Sequence, residues 1–108
     1  MTINEYQVQA MRFANPKCLN IFNAALGLNG EAGEFADLFK KINFHGHAQD
    51  NDHLIKELGD VLWYAALAAQ ILDTDLESVM QKNIDKLSAR YPNGFSEERS
   101  IHRAKGDI

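Results

Sequence analysis

The apolar positions of the chain recur at helical spacing almost throughout, and no stretch alternates long enough to make a strand. Ile3, Tyr6, Ala10 and Phe13 share one helical face, and Thr2 followed by Glu5 fits a capping box. Asn15-Pro16 should end this first helix, because a residue before proline avoids the α region. The stripe Ile21, Ala24, Ala25, Leu28, Phe35, Leu38, Phe39 and Ile42 predicts a second helix from about Lys17 to Ile42. Gly27, Gly30 and Gly33 interrupt it, each costing roughly 0.5–1 kcal/mol against alanine. Either that helix kinks or breaks, or another backbone or a ligand comes close to it.

A polar loop from Asn43 to Asn51 separates this helix from a third, predicted from about Asp52 to Leu72. Leu54, Leu58, Val61, Leu62, Ala65 and Leu72 make its main face. Trp63, Tyr64, Leu67, Ala68 and Ile71 carry apolar character nearly all round its second half. Such a helix is buried on every side, at the centre of the fold, at a subunit interface, or both. Asp73-Thr74-Asp75 turns the chain, and Thr74 with Glu77 offers a second capping box. Leu76, Val79, Met80, Ile84 and Leu87 stripe a fourth helix, which Tyr91-Pro92-Asn93-Gly94 stops. The polar tail, 95–108, can start a short helix at Ser96-Glu97-Glu98-Arg99; its composition permits disorder or a reach across to a partner. Four helices on short connections predict an all-α, four-helix-bundle-like fold.

At 108 residues the chain is expected to form a single domain, 1–108. A chain of this size buries only about two-thirds of its unfolded surface. A homodimer or homotetramer, with the third helix near the interface, would complete the burial. The formal net charge of −4 argues against a nucleic acid polymer as partner. Cys18 is the single cysteine, so no intrachain disulfide can form and a reduced, cytoplasmic setting is expected. Its expected role is that of a small apolar residue rather than a nucleophile. The start, MTINEYQVQAM, lacks the pattern of a signal peptide. Val61 to Leu72 falls short of the roughly 18 apolar residues of a membrane span.

The chemistry lies in the acids. Glu31 and Glu34 form one pair three residues apart, and Glu57 and Asp60 form another on the next long helix. Each pair sits on one side of its helix, where like charges repel. At 100° per residue, Glu31 falls about 40° from Phe35, inside the apolar stripe. Glu34 lies at the stripe's edge, and Glu57 and Asp60 flank the main face of the third helix. Carboxylates facing other helices need a positive partner, and the sequence offers few basic residues near both pairs. Hard oxygen donors suit Mg²⁺, with Mn²⁺ as the alternative. A di-iron bundle would want Glu-x-x-His, whereas the partners here are Glu34 and Asp60. His45-Gly46-His47 in the loop, with no cysteine or third histidine near, reads as solvated rather than as a zinc site, as do His53 and His102.

Gly30-Glu31-Ala32-Gly33-Glu34, Glu57-Leu58-Gly59-Asp60-Val61-Leu62-Trp63-Tyr64 and Asn83-Ile84-Asp85-Lys86-Leu87-Ser88-Ala89-Arg90-Tyr91-Pro92 together resemble the helix motifs of the MazG-like nucleotide pyrophosphohydrolases, in the all-α NTP pyrophosphatase superfamily. The resemblance covers about Leu26 to Arg103. It implies an enzyme that converts a nucleoside triphosphate and water to a nucleoside monophosphate and pyrophosphate. It also implies Mg²⁺ on Glu31, Glu34, Glu57 and Asp60, and at least two subunits. By position, Lys86 and Arg90 would contact substrate phosphates, Asn83 would line the same pocket, and Tyr64 would border the nucleotide. Trp63 and Phe22 join them as further candidates for the base pocket. A cation at the acids would neutralise phosphate oxygens and lower the pKa of a water. One free carboxylate oxygen would take that water's proton; Glu34 is the favoured base, with Glu31 and Glu57 as alternatives. House-cleaning of abnormal nucleotides and control of a dNTP pool fit equally. The rival reading is a non-catalytic helical module that binds a nucleotide or a protein.

Overall fold

Side-chain caps set the helix starts, and the chain spells most of them out. The computed structural model describes residues 1–108 and contains five α-helices: α1 (Ile3–Met11), α2 (Ile21–Phe44), α3 (Asn51–Ile71), α4 (Leu76–Arg90) and α5 (Glu97–Ile101). The Thr2 hydroxyl accepts from the Glu5 N–H at 3.1 Å, while the Glu5 carboxylate accepts from the Thr2 N–H at 2.8 Å, so the first capping box is complete. Asn20 caps α2 at 2.8 Å, and Asp50 and Ser96 cap α3 and α5, each at 3.3 Å. The all-α class holds.

Several boundaries differ from the sequence reading. α1 stops at Met11, short of Asn15, so Phe13 lies outside the helix and is 79% exposed. Asn15-Pro16 opens a 3₁₀ turn, Pro16–Cys18, instead: the Asn15 side chain accepts from the Lys17 N–H at 3.0 Å. α2 therefore starts at Ile21 rather than Lys17, and it runs unbroken through all its glycines. α4 starts at Leu76, and Thr74 serves the end of α3, its N–H donating to the Ala69 carbonyl at 2.9 Å.

The chain parts into two compact units, Met1–Leu76 and Glu77–Ile108. In the first, α3 is central and packs against both α1 and α2. Ala10, Ala66, Ala69 and Leu76 are buried together, with Ile3, Tyr6, Met11, Trp63 and Ala65 packed around them. Alanines at this contact let the helices approach closely. The Trp63 indole N–H donates to the Ala10 carbonyl at 3.0 Å. Gln7 is 5% exposed, and its amide ties α1 to the α3–α4 turn. It donates to Gln70 at 3.2 Å and to the Thr74 carbonyl at 3.0 Å, and it accepts from the Leu76 N–H at 2.7 Å. A buried amide so fully bonded specifies the docking of α1 instead of weakening it.

In the second unit, α4 ends in the turn the sequence marked. The Gly94 N–H donates to the Tyr91 carbonyl at 3.0 Å, and Gly94 takes φ 88°, a left-handed conformation that glycine adopts without strain. The tail is ordered: it forms α5 and returns to α4 through a paired contact between Arg90 and Asp107. No helix is long and apolar enough to cross a membrane.

Candidate metal centre

Facing turns of α2 and α3 bring the acids together. One carboxylate oxygen from each of Glu31, Glu57 and Asp60 lies within 4.8 Å of the others. Glu34 stands outside this trio, exposed, one helical turn from Glu31, and its charge acts on the Glu31 carboxyl. All four sequence-predicted acids therefore meet in the first unit, as three clustered oxygens plus a neighbour.

The electrostatics are those of crowded negative charge. Burial raises the Glu31 carboxyl above its usual pKa; the charges of Glu34, Asp60 and Glu57 push it further the same way. Glu31 Oε2 and Glu57 Oε2 are buried without any hydrogen-bond partner in the chain. Two orphaned carboxylate oxygens inside one cluster are costly unless a cation meets them. Lys40 and Lys41 do not: both pair with Asp37, at 2.9 and 3.1 Å. Lys56 pairs with Asp52 at 2.8 Å. The donor set is all carboxylate oxygen, which fits Mg²⁺ or Mn²⁺.

Two neighbours of the cluster escaped the sequence reading. His53 Nε2 lies 3.3 Å from Glu57 Oε1, one helical turn away, where it can orient that carboxylate. The signal was its four-residue spacing from Glu57. Tyr6 of α1 is the other: its phenol pKa is raised by burial first and then by the charge of Asp60. Nothing local to α1 announces that influence.

The glycines divide. A Cβ at Gly27 would collide with the Tyr64 ring, so here the absent side chain lets an aromatic of α3 cross close to α2. Gly30, Gly33 and Gly59 face open space. Tyr64 is thus seated one turn after Asp60, with its ring edge-on to Trp63 at 5.0 Å between centroids. Trp63 itself is engaged with the α1 core through its bond to Ala10.

The remaining candidates, Asn83, Lys86 and Arg90, lie along α4 in the second unit. Asn83 and Lys86 are exposed. The Arg90 side chain is only 9% exposed and grips Asp107 with both arms of its guanidinium, at 2.7 and 2.8 Å.

The profile of the MazG nucleotide pyrophosphohydrolase domain matches residues 23–95, more than half of the chain and the span that holds all four acids. The chain is also similar to the Gene 37 protein of Mycobacterium phage L5, with 40% identity over 86 residues, covering 76% of this chain and 70% of the phage protein. No solved structure matches. With its acid motifs inside the matched span, the chain belongs to the MazG nucleotide pyrophosphohydrolase family.

Proposed function

We propose that this protein is a Mg²⁺-dependent hydrolase that cleaves nucleoside triphosphates to nucleoside monophosphates and pyrophosphate. The observation that carries the reading is the trio of converging oxygens with buried, partnerless atoms on Glu31 and Glu57. Glu31, Glu57 and Asp60 hold the cation, and Glu34 borders it. A bound divalent cation supplies charge neutralisation for the triphosphate and a more acidic water. Glu34 stands apart from the trio and exposed, which suits it to accept the proton of the attacking water. Water oxygen bonds to phosphorus, the anhydride between the α- and β-phosphates breaks, and pyrophosphate leaves with the electron pair of that bond. Lys86 and Arg90 take phosphate oxygens, Asn83 lines their pocket and Tyr64 borders the nucleoside.

A panel of ordinary and damaged NTPs and dNTPs with Mg²⁺ tests this. Monophosphate and pyrophosphate are the expected products. Diphosphate and orthophosphate would refute the bond assignment, and no turnover on any nucleotide would favour the non-catalytic binding module. The preferred base and sugar read from the same panel would separate house-cleaning from pool control.

The same reading includes a homodimer or homotetramer. Phe22 and Leu26 on α2 are 76% and 74% exposed, and Ile55 and Leu58 on α3 are 66% and 53% exposed. Each pair recurs at helical spacing, so a second copy can cover a face of each helix at once. Light scattering at micromolar concentration should give a multiple of the 12.2 kDa chain mass. A persistent monomer would reject assembly. The single cysteine, Cys18, fits a cytoplasmic setting.

A further inference from the structure

The second unit contains a cavity of about 500 Å³ whose charged side chains, apart from Asp107, are basic. Lys86 and Arg90 come from α4, Arg99 from α5, and His102 and Lys105 from the segment beyond. Asp107 brings an acidic side chain into it, and Ile108 lines it beside Asp107. Gly106, at φ 86°, and the bond from the Asp107 N–H to the Ala104 carbonyl at 3.1 Å make the turn that delivers this carboxylate to Arg90. Both partners are well shielded, 9% and 15% exposed, and the contact is two-pronged. The positive surroundings hold the Asp107 carboxyl below its usual pKa: first Arg90 through its hydrogen bonds, with Arg103 and Lys86 adding to it. A guanidinium fork accepts a carboxylate and a phosphate by the same geometry. A cavity of this size also has room for more than one carboxylate.

We propose that Asp107 is an internal anion seated in a polyphosphate-binding cavity, so that the C-terminal segment is a latch which a pyrophosphate group displaces from Arg90. The proposal rests on the reading that Arg90 receives phosphate oxygens, and it adds that the free protein blocks that role with its own carboxylate. Phosphate entry and tail release are then one exchange.

The test uses the full chain and inorganic pyrophosphate with no divalent cation, so that neither hydrolysis nor the acid cluster contributes. By calorimetry, Asp107→Asn should bind pyrophosphate about tenfold more tightly than the wild type, because no internal anion competes. In the wild type, saturating pyrophosphate should speed tryptic cleavage after Arg103 and Lys105, and Arg90→Gln should abolish pyrophosphate binding. Unchanged or weaker binding by Asp107→Asn would overturn the latch and leave the pair a structural clasp. So would a tail that stays protected in the saturated wild type, a result that needs no variant to fold. Failure of the enzyme to hydrolyse any nucleotide, with this displacement intact, would defeat the catalytic reading and leave the latch standing.

Discussion

The two units treat charge in opposite ways. In the first, Glu31, Glu57 and Asp60 converge, and two of their buried oxygens have no partner in the chain. In the second, the shielded Arg90 is fully paired by the chain's own Asp107. The acid cluster raises the pKa of a member, and the basic cavity lowers the pKa of the acid it contains. Crowded carboxylates lower their free energy by taking up a proton or a cation, and the raised Glu31 pKa records that demand. A pair that is already satisfied must be opened before its arginine can serve anything else. Charge therefore opposes folding stability at the acids, whereas at the arginine it is neutralised within the chain.

That contrast can be broken first at the acids. Asp60→Asn should reduce turnover on the order of 10²–10³-fold, since it removes a charge that positions the cation. The same change should raise the melting temperature of the metal-free protein, because it relieves repulsion among neighbours. Loss of activity accompanied by loss of metal-free stability would mean that Asp60 is a structural residue. His53→Ala should act more mildly, weakening metal affinity about 10–100-fold through its grip on Glu57, as measured by Mn²⁺ titration of activity. An unchanged metal dependence would reduce His53 to a surface neighbour.

The glycines of α2 test the scaffold that brings the acids together. Gly27→Ala forces a methyl into the Tyr64 ring at the α2–α3 contact that aligns the acids. It should cost about 1–3 kcal/mol in a denaturant titration. Gly30→Ala meets open space and should gain roughly 0.5–1 kcal/mol in helix stability. A destabilising Gly30→Ala would instead reveal a second copy against that face.

The smallest effect is expected in the second unit. The folded Asp107 pKa is depressed, so its pairing with Arg90 contributes fully above the ordinary aspartate value of 3.8 and is lost as pH falls through the lowered one. The Arg90 side-chain N–H resonance should therefore persist to below pH 3.8, and Asp107→Asn should remove its acid transition. A midpoint at or above the ordinary value would mean that the pair contributes nothing.

Much of this was legible in the sequence because the signals are local. Thr2 with Glu5, and the turn at Tyr91 to Gly94, depend on neighbours within a few residues, and the sequence places both correctly. The acids could be grouped because each pair occupies one face of one helix, and the loop between α2 and α3 returns the chain antiparallel. Asn15-Pro16 misled: it stops a helix in principle, but α1 had already ended and the dipeptide started a 3₁₀ turn. The bonds of Gln7 with Leu76 and of Arg90 with Asp107, and the influence of the Asp60 charge on Tyr6, span distances that no periodicity encodes. Gly27 was ambiguous for the same reason, since its partner Tyr64 lies on another helix.

Mn²⁺ binding followed by electron paramagnetic resonance decides whether the carboxylates of α2 and α3 form a divalent cation site. The wild type should remove free Mn²⁺ signal saturably, Mg²⁺ should restore it by competition, and Glu57→Gln and Asp60→Asn should each abolish the binding while remaining helical by circular dichroism. Saturable binding of equal strength in the wild type and both variants, or none in the wild type, would mean that these carboxylates hold no cation.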